Sequence, residues 1–203
     1  MNKLALIAIS GILLSLLTVV TLFLVTSESE FGESNKALAD LGGDFTLNSA
    51  SGTVSSNDYR GKVLVMYFGF TSCPSVCPNS MGVISSALNR LDESQLQDTQ
   101  AFLISIDPKR DTPEDLATYA TFYHDNVIGL TGNKNQIDAV PQQYGAYYDF
   151  TEIESVTEDY GVKHSSRYYV IDQTGKLITA MRHSTTANEL YSQITQLLKR
   201  ETS

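Results

Sequence analysis

Residues 61–70, "GKVLVMYFGF", carry an unbroken apolar run from Val63 to Phe68, rich in β-branched and aromatic side chains. A strand with one wet face would alternate apolar and polar residues; a continuous run of this length reads as a strand covered on both faces. It is the central strand of a layered α/β domain. "TQAFLISID" (99–107) reads as a second buried strand and "VIGLTG" (127–132) as a short third one. Between them, "DTPEDLATYATFYH" (111–124) opens a helix, with Thr112 placed as N-cap, Pro113 at the first helical position and acids in the first turn.

The remaining segments fit the same plan. "DFTLNSASGTVSS" (44–56) has two β-prone pieces around a Ser-Gly turn, a hairpin ahead of the central strand. From Val76 to Leu91 the apolar positions Val76, Met81, Ile84, Leu88 and Leu91 form an imperfect helical stripe. "NKNQIDAVPQQYGAYY" (133–148) is helical up to about Gly145. "SRYYVIDQTGKLITAMR" (166–182) is a β-hairpin turning on Asp-Gln-Thr-Gly, and "TANELYSQITQLLKR" (186–200) is a closing amphipathic helix. This element order is that of a thioredoxin-like α/β domain with an N-terminal β-hairpin extension.

The N-terminus has a different character. Leu4 to Val25 is a stretch of 22 residues with no charge, about 33 Å as a helix, enough to cross a bilayer's hydrocarbon core. An uncleaved transmembrane anchor is expected, because a signal peptide has a shorter apolar region and the small-x-small tripeptide Ala37-Leu38-Ala39 lies too far beyond this one. Lys3 precedes the span and Glu28, Glu30 and Glu33 follow it, which keeps the N-terminus in the cytoplasm and puts the domain on the periplasmic or outer face of the cytoplasmic membrane. The expected organisation is an anchor over 1–27, a linker over 28–43 and one domain over 44–203. With 203 residues, a 42% apolar fraction and a net charge of -9, the chain is globular and acidic, and nucleic acid is not an expected partner.

Only two cysteines occur, Cys73 and Cys77, in "TSCPSVCPNS" at the junction of the central strand and the helix after it. A stapling disulfide across so short a loop removes little unfolded-state entropy, which leaves a redox dithiol or a soft-metal site. The free N–H groups and positive dipole end of a helix N-terminus favour thiolates, so lowered thiol pKa values are expected, particularly for Cys73. A Cys-x-x-x-Cys spacing puts both sulfurs on one helix face, an arrangement suited to Cu(I). Of the three histidines, His164 stands in a loop just before a strand, where such folds bring a loop against the dithiol. His124 ends a helix and reads as a cap; His183, sharing a strand face with Met181, reads as strand-end packing. A peroxidase is disfavoured, since Thr71 lies only two residues before Cys73.

"GKVLVMYFGFTSCPSVCP", "ISIDPKRDTPEDLATYA", "IGLTG" and "VKHSSRYYVID" together resemble, in one colinear order from about Asp44 to the final helix, the motifs of the Sco/SenC family. These are membrane-anchored thioredoxin-like proteins that bind copper and serve assembly of cytochrome c oxidase. The resemblance implies Cys73, Cys77 and His164 as ligands of Cu(I) and Cu(II). It implies as partners the oxidase's copper-centre subunit and other copper carriers or thiol reductases. Copper delivery, reduction of that centre's cysteines (a thiol-disulfide oxidoreductase) and redox sensing are all jobs assigned within the family. Asp107 matches the family's acidic residue in Asp-Pro-x-Arg-Asp-Thr-Pro, and is expected either to lie just outside the ligands or simply to shape the strand exit. Arg110 is expected in a surface ion pair, Asp111 in the helix-capping segment, and the tyrosines, Tyr119, Tyr123, Tyr144, Tyr147 and Tyr148 among them, in packing.

Overall fold

A computed structural model describes residues 41–152 and 160–199. The expected membrane span and most of the linker lie outside the described residues; among those described, no helix is long and apolar enough to cross a membrane. The compact unit begins at Leu41, and Gly42 N donates to Gln143 O at 2.8 Å.

The expected hairpin forms: β1 (Thr46–Ser49) pairs antiparallel with β2 (Gly52–Ser55). The apolar run becomes β3 (Val63–Gly69), buried at every position. Helix α1 (Val76–Leu88) follows it, then a five-residue α2 (Glu93–Gln97). Next come β4 (Thr99–Ser105), α3 (Pro113–Tyr123), β5 (Val127–Leu130) and α4 (Lys134–Gln143). Two strands, β6 (Tyr148–Glu152) and β7 (Tyr160–His164), form a separate antiparallel pair. The chain closes with β8 (Arg167–Ile171), β9 (Leu177–Arg182) and α5 (Ala187–Leu198).

Five strands make the main sheet, in the order β5-β4-β3-β8-β9. β3 runs parallel to β4, and β4 to β5, while β8 is antiparallel to β3 and β9 to β8. Because a strand sends alternate side chains to opposite faces, β3 serves two different layers. Phe68 packs on Tyr144 and Tyr169, with ring centroids 6.3 and 5.2 Å away. On the other face, Tyr67 packs on Tyr168 at 5.8 Å, and Gly69 lies against the Cys77 sulfur.

The helix caps follow the sequence. Thr112 accepts from Asp115 N with Pro113 in the first turn, Thr186 and Glu189 form a capping box, and α4 gives way to Gly145 at φ +66, a left-handed turn that glycine adopts without strain. The β8–β9 hairpin turns on Asp172, whose Oδ1 accepts from Thr174 N at 3.0 Å. Neither α2 nor the β6–β7 pair was expected. α2 is too short to show a helical period, although its Asp92/Gln95 capping box is in the sequence. The β6–β7 pair corrects the position of His164: it closes a strand, opposite Tyr148, and does not stand in a loop.

Candidate metal centre

The sheet topology brings three chain segments to one edge. The carboxyl end of β3 leads into the cysteine turn, that of β4 leads into the Asp107–Asp111 loop, and β8, running the other way, starts there just after His164. In an open α/β sheet this edge is where ligands bind.

The cysteine turn is held by its own geometry. Cys73 N donates to Phe70 O at 3.3 Å. The N-cap of α1, Ser75, makes no side-chain capping bond; instead Cys73 Sγ accepts from Cys77 N, a first-turn donor with no helical partner, at 3.4 Å. Both residues are free thiols, Cys73 8% exposed and Cys77 fully buried. Cys77 Sγ sits so close to the backbone of Gly69 that a Cβ there would come within 3.1 Å of it.

His164 meets this pair from the β7 side. Its Nε2 lies 3.7 Å from Cys77 Sγ. A first-row metal about 2.3 Å from a thiolate and about 2.0 Å from an imidazole nitrogen would hold those two donors about 3.5–3.7 Å apart in tetrahedral or trigonal geometry. The two sulfurs and the imidazole all lie within 4.8 Å of one another, the arrangement a single metal ion needs. The ring is held edge-on between Tyr67 and Phe70, with centroids 6.1 and 5.9 Å away and interplanar angles of 84° and 79°. Burial pulls the His164 pKa below the ordinary imidazole value, against a smaller opposing pull from the Ser165 backbone. The imidazole is therefore neutral near pH 7, as a metal ligand must be.

Cys77 departs from the expectation of a lowered thiol pKa. Burial, seconded by the neighbouring Cys73, pushes it up to about 12, outweighing the Phe70 backbone hydrogen bond that pulls it down. The helix N-terminus does not offset the loss of water around a sulfur packed on Gly69 and Tyr67. An ion held by that sulfur would displace the proton outright.

The Asp-Pro-Lys-Arg-Asp loop lies one layer out. Asp107 is fully buried and outside the three-donor group; Arg110 Nε donates to its Oδ2 at 2.5 Å, and the Arg110 guanidinium carbon lies 5.7 Å from the centre of the Phe70 ring. The expected surface pair is thus half internal, and it supports the aromatic ring that flanks His164. Asp111 needs a larger correction. It is 2% exposed, and its carboxylate accepts from Thr71 N at 3.1 Å, from Thr71 Oγ1 at 2.5 Å and from Ser105 Oγ at 2.6 Å. It ties the β4 exit to the turn two residues before Cys73, a role hidden in the sequence because Thr112 beside it does the capping. His124 is the C-cap of α3, its Nδ1 accepting from Asn126 N at 2.9 Å. His183 follows β9, exposed and outside the donor group. Tyr119 stacks on Tyr123 at 5.2 Å and Tyr144 is buried, both as packing, whereas Tyr147 is exposed.

Residues 33–199 match the family model described as SCO1/SenC. The chain belongs to the SCO1/SenC family. It is 35% identical over 151 residues to a SCO2-like protein of Rickettsia prowazekii, covering 74% of this chain and 73% of that one. It is 34% identical over 161 residues to the mitochondrial protein SCO2 of Saccharomyces cerevisiae, covering 78% of this chain but only about half, 53%, of the yeast protein. Among solved structures, copper-bound ScoI of Arabidopsis thaliana superposes with a TM-score of 0.72 at 30% identity, over 79% of this chain and 99% of that one. The Sco version of the thioredoxin-like fold is therefore the fold of this domain.

Two outcomes follow from this geometry. Asp111→Ala strands three donors and should cost about 2–4 kcal/mol in a denaturation titration, and the loosened turn should retain copper less tightly in a competition assay; unchanged stability would mean that the tie is not made. For Cys77 the sign is fixed by its raised pKa. The thiol of the unfolded chain ionises near 9.0 and that of the fold near 12, so stability is intact below pH 9 and falls as pH rises through that interval. Thermal melts of the reduced protein should show this alkaline decline, and Cys77→Ser should flatten it.

Proposed function

We propose that the chain is a membrane-anchored copper chaperone that binds copper through Cys73, Cys77 and His164 and supports assembly of the dinuclear copper centre of cytochrome c oxidase. In this reading residues 1–27 anchor it in the cytoplasmic membrane, 28–43 tether it, and 44–203 form the copper-binding domain on the periplasmic or outer face. Copper is cargo. Two thiolates suit Cu(I), and the imidazole adds the donor that Cu(II) requires. Asp107, through Arg110 and Phe70, and Asp111, through Thr71, hold the donors in place without touching the ion.

The observation that carries this reading is the third donor. A dithiol that only reduces disulfides needs two sulfurs and an accessible thiolate. Here a neutral imidazole reaches to 3.7 Å from the more buried sulfur, a third donor that suits a metal site better than a reductase. Likeness to a copper-bound relative supports the same choice.

His164→Ala separates the readings. The reduced variant should keep part of its Cu(I) uptake and lose Cu(II) affinity by at least about tenfold. It should fail to support oxidase activity in copper-limited cells, with partial rescue by added copper. Full oxidase activity in that variant, with Cys73→Ser inactive, would assign the chain to thiol reduction.

A further inference from the structure

A cleft of about 550 Å³ is lined by His164 of the donor group together with Val76, Arg167, Arg182 and His183. Among the described residues no acidic side chain lines it, on a chain whose net charge is -9. Arg167 and Arg182 stand directly opposite each other on β8 and β9. Like charges at directly opposed strand positions repel and weaken the pairing. The usual remedy is a nearby carboxylate, yet neither arginine joins an ion pair among the described residues. Arg167 donates Nη1 to Ala180 O at 3.2 Å. Among the described residues nothing but solvent neutralises this exposed pair, which stands at the edge of the cleft that His164 lines. A carboxylate on a bound partner would do so, since each guanidinium fork matches a carboxylate in two-bond geometry.

We infer that the Arg167–Arg182 pair and the cleft it borders are the docking surface for the protein that exchanges copper with Cys73, Cys77 and His164, and that this partner presents carboxylates beside its own metal ligands. The inference rests on the copper-delivery reading above. An ion can pass between proteins only where their donors come within bonding reach, and the cleft includes one donor, His164, together with Val76, which precedes Cys77 in the first turn of α1 and is 37% exposed. A partner seated there places an apolar spot against Val76 and acids against the arginines, a small apolar centre with a charged rim. The rim charges steer encounter and set register more than they hold the complex.

The test uses the full-length chain in detergent and the metal-free copper-centre subunit of cytochrome c oxidase from the same cells. Binding and copper transfer are both measured as salt is raised. The R167E/R182E chain should hold copper with wild-type affinity yet bind the subunit and transfer copper about tenfold more slowly at low salt, the difference closing at high salt. Replacing an acidic residue on the rim of the subunit's copper centre by lysine should restore part of the loss. R167Q/R182Q should fall between the two and gives the readout should the reversed pair impair folding. Equal binding and equal salt dependence in wild type and variants would overturn the docking surface. So would phosphate binding to the pair without any effect of the substitutions on the subunit, or arginine-dependent binding to phosphatidylglycerol vesicles with none to the subunit. Arginine-dependent docking with no copper transferred by the wild type would leave the surface standing and remove the delivery reading; transfer that ignores the arginines would do the reverse.

Discussion

β3 is buried at all of its positions, so each of its backbone N–H and C=O groups must find a partner in a neighbouring strand. That requirement sets the site. β4 pairs along one side in parallel and β8 along the other antiparallel, and the directions alone bring the end of β3, the end of β4 and the start of β8 to one edge. The cysteine turn, the Asp107–Asp111 loop and His164 meet there as a consequence of strand pairing, before any attraction among them is considered. The details at that edge depend on small margins. Gly69 has no side chain, so the Cys77 sulfur can rest on the sheet, and Asp111 reaches from one strand exit to the other and fixes the turn that carries Cys73.

Electrostatics then decides what the edge can do. The domain has taken one thiol out of water and raised its pKa, and has taken an imidazole out of water and lowered its pKa. Both shifts have the same origin, the loss of solvation of a charged form, and both favour neutral groups until a cation arrives. A soft cation reverses the balance, because it replaces the thiol proton and uses the lone pair that the imidazole keeps free. A burial that would hinder a nucleophile thus suits a metal site. The aromatic rings of Tyr67 and Phe70 on either side of His164 limit the ring's rotation and so hold Nε2 toward the sulfur.

Much of this was legible in the residues. The apolar runs of β3 and β4 identify buried strands without ambiguity, Thr112 and Pro113 announce α3, and two cysteines at a strand-helix junction with a histidine before a later strand point to the three residues that the structure brings within 4.8 Å of one another. What was not legible depends on distant partners. The β6–β7 strands do alternate, as YDFTE and YGVKH, but each is only five residues long and they pair with each other outside the main sheet, so neither stands out as the apolar runs of β3 and β4 do. Asp111 sits in a sequence that reads as a helix start, and its partner Thr71 is forty residues away. The thiol pKa of Cys77 turned on its burial, which helix-dipole reasoning does not contain.

The central claim is that two sulfurs and one imidazole bind a single copper ion. X-ray absorption at the copper edge of the copper-loaded full-length chain tests it most directly. Two sulfur scatterers at about 2.3 Å are expected together with an imidazole pattern in the Cu(II) form, the imidazole pattern vanishing in His164→Ala and one sulfur in Cys77→Ser. A shell of nitrogen and oxygen alone, or a spectrum that neither substitution alters, would contradict it.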